Sequence, residues 1–135
     1  MRGILADNDV VGYVRIIHAI WLSEVWRELW NSLGLSVESL STTGLSHESA
    51  DAMIWRTCQR EKLVLITANR NADDPESLEV IIRTEGLPES LPVITLANPQ
   101  RLLRDRSYAE SVAERLLDDL MDIDRFRGAG RIYVP

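Results

Sequence analysis

The run Leu63-Val64-Leu65-Ile66-Thr67 narrows the fold more than any other feature of the chain. It is apolar throughout, rich in β-favouring side chains and shows no alternation, so it reads as a strand covered on both faces. Such a strand needs a layer on each side. Two more short apolar runs, at Gly3–Ala6 and 91–96, and a weakly alternating stretch at 35–40 are separated by stretches with helical spacing. The order strand-helix, repeated four times, predicts an α/β fold: a three-layer α/β/α sandwich with a small, mainly parallel sheet of about four or five strands and right-handed crossovers. The tail from Arg125 to Pro135, with its apolar run Ile132 to Val134, reads as a loop or an edge strand.

Apolar residues at Val10, Val14, Ile17, Trp21, Val25, Leu29 and Leu33 predict one long first helix, capped by Asn8 or Asp9 and leaving through Gly34. Trp21, Trp26 and Trp30 make it apolar around more than half of its girth, so it is expected to pack against the sheet and also against a neighbour or a second subunit. A polar loop covers 41–49. A second helix starts near Ser46 and carries Ala50, Met53, Ile54 and Cys58 at helical spacing. Asp74-Pro75-Glu76 has the signature of a third helix start, running to about Thr84, and Gly86 ends it. Ser107 and Glu110 have capping-box spacing before a last helix with Ala109, Val112, Ala113, Leu116, Leu117, Leu120 and Met121 on one face.

With 135 residues, 45% of them apolar, the chain is read as a single domain over 1–135. Its one cysteine, Cys58, can form no internal disulfide and no thiolate zinc site, which suits a reducing, cytoplasmic setting. The first ten residues carry acidic groups and no long apolar run, so no export signal is expected. Charges at Arg15, Glu24, Arg27 and Glu28 break the apolar stretch from Val10 to Leu33, so no membrane span is expected either. A net charge of −6 disfavours long-range attraction to nucleic acid. The charge is uneven: residues 1–98 hold eight basic and 14 acidic side chains, whereas 99–135 hold seven of each. Fourteen of the fifteen cations are arginine, whose planar fork suits local contacts with carboxylate or phosphate.

Sites in open parallel sheets form beyond the carboxyl ends of the strands. There the first strand ends in Asp7, Asn8 and Asp9, and the third in Thr67, Ala68, Asn69, Arg70, Asn71, Ala72, Asp73 and Asp74, while Asp51 opens the helix between them. Carboxylate and amide oxygens suit hard cations such as Mg2+ or Mn2+, which makes a metal-assisted phosphoryl site reasonable. The competing reading is that Asp9, Asn69, Asn71 and Asp74 serve as caps and turns. Asp7 is singled out because it follows a buried strand and meets no evident capping need. Cys58 reads as a small core residue, His18 and His47 as structural, and no glycine-rich phosphate loop is present. The arginines of the segment Arg125 to Arg131 are expected to pair with nearby acids rather than with RNA.

The segments ILADNDVVG and GLSHESADAMIWRTCQREKLVLITANRN, with the acidic pair after them, resemble PIN-like domains, in particular a bacterial group related to toxin nucleases. The shared pattern is an Asp after the first strand, an Asp at the start of a mid-chain helix and a Thr-x-(Asp/Asn) signature after a buried strand. The resemblance implies a Mg2+- or Mn2+-dependent ribonuclease with RNA as substrate and an antitoxin protein as a partner. It places Asp7 and Asp51 as catalytic metal ligands, with Asp73 or Asp74 making up the set where their loop turns back toward Asp7; Thr67 is read as a substrate contact and Arg70, inside the site loop, as a cation that holds a phosphate or replaces the metal. Asn69 and Asn71 stand where such nucleases usually carry acids, a departure that weakens cation binding and water activation. The alternative is a catalytically degenerate PIN-like module that binds protein or dimerises through the tryptophan-rich first helix. Phosphatase and receiver-type patterns also place aspartates after a first strand, but both want a lysine after a later strand, and the only lysine, Lys62, precedes one.

Overall fold

In the computed structural model, which describes residues 1–68 and 77–135, five strands form one parallel sheet. They are β1 (Gly3–Ala6), β2 (Ser36–Ser39), β3 (Leu63–Thr67), β4 (Val93–Leu96) and β5 (Arg131–Val134), in the order β2-β1-β3-β4-β5. Five helices join them: α1 (Val11–Trp21), α2 (Arg27–Leu33), α3 (Asp51–Glu61), α4 (Leu78–Glu85) and α5 (Arg106–Met121). The fold is the expected α/β/α sandwich. The tail is an edge strand, its Arg131 opposite Val93 of β4. None of the described helices is long and apolar enough to cross a membrane.

Strand residues alternate between two cores, as the pleat requires. Ile4, Ala6, Val64, Ile66, Ile94, Leu96 and Val134 face α1, α2 and α5, whereas Leu5, Leu63, Leu65 and Val93 face α3 and α4. This arrangement corrects the expectation of right-handed crossovers throughout. The steps β3 to β4 and β4 to β5 run the same way across the sheet, yet α4 and α5 lie on opposite faces, so the two crossovers have opposite hands. The crossovers through α1–α2, α3 and α4 share one hand, right-handed by the strong rule for such units, and the one through α5 is left-handed. The physical reason lies in α1: its tryptophan surface needs a partner, and α5 supplies it, with Trp21 Nε1 donating to the Ala113 carbonyl at 2.9 Å.

The single first helix is instead two. The Ser23 hydroxyl donates to the Ile20 carbonyl, and Ser23 O accepts from Trp26 N and Arg27 N, which turns the chain between Trp21 and Arg27. The turn brings Trp30 back onto Trp21, ring centroids 4.6 Å apart and 19° from parallel. Both rings are buried, and Trp26 packs against the same core, so the aromatic girth is covered within the chain. Other boundaries shift as well. The helix placed near Ser46 starts at Asp51; α4 is capped by Ser77 accepting from Val80 N; and α5 is capped by Asp105 accepting from Tyr108 N at 3.0 Å, not by Ser107. The start placed at Asp74-Pro75 lies outside the described residues.

Candidate functional site

With this strand order, the chain leaves β1 toward β2 on one side and returns as β3 on the other. The carboxyl ends of β1 and β3 therefore flank the crevice where ligands of open α/β sheets bind. Asp7 follows β1 directly. Its Oδ1 accepts from Asn8 N at 2.8 Å, capping the 3-10 turn Asn8–Val10, and its Oδ2 accepts from Thr67 Oγ1 at 2.9 Å. The carboxylate thus does have a capping contact, contrary to expectation, and it is fixed from a second side by the neighbouring strand. Each oxygen keeps a further lone pair.

Asp9 does not cap a helix; its Oδ2 accepts from Ala68 N, just beyond β3, at 3.3 Å. Asp51 stands at the first position of α3, and its Oδ2 accepts from Leu78 N at 3.2 Å, tying the starts of α3 and α4 together. The three acids share one field. Asp9 keeps solvent access, yet partial burial of its carboxyl, then the negative charge of Asp7 and, more weakly, that of Asp51, push it up from its usual value, against a lowering by the Ala68 N–H. Neither Asp7 nor Asp9 has a cationic partner among the described residues.

Thr67, taken from the sequence as a substrate contact, is fully buried, and its hydroxyl is directed at Asp7. Asn69, Arg70, Asn71, Asp73 and Asp74 lie outside the described residues. Asp9 is the residue that the proposed ligand set lacked; its signal was the second acid two positions after Asp7. Among the described residues, no three His, Cys, Asp or Glu side chains form a group able to hold a metal ion. The chain matches no protein-family model, no curated protein and no solved structure.

Cys58 and His18 are structural. Cys58 lies on the inner face of α3, where burial, and secondarily the charge of Asp7, pushes its thiol up to about 12. His18 meets Trp30 edge-on at 5.6 Å, and burial lowers its pKa. His47 is exposed beside Glu48. The arginines of the tail pair with acids as expected: Arg125 with Asp122 at 3.5 Å, Arg127 with Asp124 at 2.7 Å, and buried Arg131 with Glu79.

Proposed function

We propose that the chain is a divalent-metal-dependent ribonuclease of PIN-like kind, working at the carboxyl ends of β1 and β3. The observation that supports the reading is the field at Asp9: the charge of Asp7, beside it at the end of β1, and more weakly that of Asp51, at the start of α3, push it up, and no cation pairs with Asp7 or Asp9 among the described residues. Oxygen donors of this kind fit Mg2+ or Mn2+, which usually takes only one or two protein carboxylates and completes its shell with water and substrate phosphate. Bound there, the ion supplies Lewis acidity and a water of lowered pKa. The chain's own part is positional. Thr67 and the Asn8 N–H hold Asp7 in one orientation, and the Leu78 N–H holds Asp51. A groove of about 410 Å3 opens beside Asn8, lined by the polar Ser39, Ser41, Ser46 and His47 and the apolar Val11, Leu40 and Leu45, along which an RNA backbone can lie.

Calorimetric titration with Mn2+, followed by cleavage of a fluorescent single-stranded RNA with and without EDTA, tests the reading. Wild type binds one ion and cuts, while Asp7→Ala loses both. Equal Mn2+ binding by the two proteins removes Asp7 from the mechanism.

A protein-binding reading keeps one observation of its own. At the α1–α2 corner Val25 is 84% exposed, with Leu22 and Leu29 partly exposed beside it. A second copy covering this corner would make a dimer without using the buried tryptophans, and sedimentation of Val25→Glu against wild type checks it.

A further inference from the structure

Because α5 crosses on the far face, β5 is met on the face that carries α3 and α4 only by α4 among the described helices, through Glu79 at Arg131 and Ile82 at Gly130. A cleft of about 590 Å3 lies on that face at the opposite edge of the sheet from Asp7, between the α4–β4 connection and the turn leading into β5. We propose that this cleft binds an organic phosphate of nucleotide size, independently of the metal reading.

Its size falls within the range of small-molecule sites. In a chain of net charge −6, its lining holds two arginines and no carboxylate. Arg83, from the last turn of α4, is exposed and has no hydrogen-bond or ion-pair partner among the described residues. Arg127 is oriented rather than consumed: its Nε donates to Asp124 Oδ1 and its Nη1 to the Glu89 carbonyl at 2.8 Å, leaving the Nη2 amino group uncommitted. Ser90 Oγ accepts from Leu87 N at 3.0 Å, which leaves its own hydroxyl proton to donate.

The turn itself requires glycine. Gly128 and Gly130 both have φ near +81°, and a Cβ at Gly128 would press on Pro88 O at 2.8 Å, so backbone rather than side chain borders the cleft there. The Gly130 N–H has no acceptor among the described residues. The same lining includes Ile82, the mostly buried Trp55 and Leu91, and Leu87, which is more than half exposed. Two guanidinium groups and a hydroxyl suit a phosphate, and the apolar wall suits a planar or hydrocarbon body attached to it. An inorganic ion would leave that wall unused.

The test is tryptophan fluorescence and calorimetry in EDTA, with AMP, CMP, GMP, UMP and inorganic phosphate as probes. The expected result is saturable one-to-one binding of at least one nucleotide, about tenfold or more tighter than inorganic phosphate. Loss of a charge-assisted contact in Arg83→Gln and in Arg127→Gln weakens it about tenfold or more, whereas Asp7→Ala leaves it unchanged. Absence of saturable binding overturns the proposal, as does binding that both arginine variants retain or that inorganic phosphate matches. Since EDTA removes the divalent ion, failure of the ribonuclease reading leaves this measurement unaffected.

Discussion

Replacing Thr67 by Val keeps the shape of a fully buried side chain and removes the hydroxyl that donates to Asp7 Oδ2 at 2.9 Å. A hydrogen bond to a charged acceptor contributes about 1.5–3 kcal/mol when both ends are shielded. Asp7 is only half-buried, so water takes over part of the contact, and a loss of about 1–2 kcal/mol is expected. In a domain of this length that lowers Tm by roughly 4–8 °C. The specific assay is a double-mutant cycle with Asp7→Ala, read by urea denaturation, because a merely structural valine effect persists when Asp7 is absent. The cycle should give a coupling of about 1–2 kcal/mol. On the proposed metal site, the same variant weakens Mn2+ binding about tenfold, since a ligand whose outer partner is lost no longer holds its orientation. A coupling below about 0.3 kcal/mol, within the scatter of independent sites, refutes the claim that Thr67 fixes Asp7.

Asp9→Asn tests the shared field. The folded-state pKa of Asp9 is raised, so its ionised form opposes folding above that pKa and ceases to do so as the pH falls through it toward the unfolded value. The variant should therefore exceed wild type in urea midpoint at pH 7 and converge with it in acid; equal midpoints at pH 7 would show that the charges do not meet. Glu79→Ala removes the carboxylate paired with the Arg131 guanidinium, which keeps its contact with Thr95, and should cost about 1–3 kcal/mol by thermal melt, whereas Glu110→Ala, which breaks an exposed pair with Arg106, should cost under about 0.5 kcal/mol. Cys58, its thiol pushed up to about 12, should resist iodoacetamide at pH 8 in the native protein and react in urea; rapid native labelling would contradict its burial.

The inner strands were legible in the chain because each is short, apolar and bounded by turn residues; Gly3–Ala6 and Leu63–Thr67 form as expected, whereas the edge strand Ser36–Ser39 showed only a weak alternation. Helix ends were less so. Hydrophobic period sees a stripe and not the break within it, and α1 and α2 share one stripe across Ser23. Capping signals near α5 competed, and Asp105 won over Ser107 because its carboxylate reaches Tyr108 N two residues earlier in the chain. At the site, the position of Asp7 just beyond β1 and of Asp51 at the start of α3 was readable from the runs of the sequence. The role of Thr67 was not, since it depends on the register that sets β3 beside β1.

The least legible feature is the hand of the last crossover, and it follows from a competition between layers. Local rules favour α5 on the face of α3 and α4, where a right-handed connection from β4 would place it. That choice would leave α1 and α2, with Trp21 and Trp30, as nearly the sole cover for a face presenting Ile4, Ala6, Val64, Ile66, Ile94 and Leu96. Burying Val112, Ala113, Leu116, Leu117 and Leu120 against that face instead removes several large apolar side chains from water, each contributing about 1.5–3 kcal/mol for the larger ones, which outweighs the local preference. The long return through Asp122 to Gly130, with two glycines at positive φ, carries the chain around to β5. The same choice leaves β5 thinly covered on the opposite face among the described residues, where Glu79 of α4 meets Arg131 while Tyr133 stands nearly half exposed. The phosphate-sized cleft is thus a consequence of where the hydrophobic surface of α1 had to be covered.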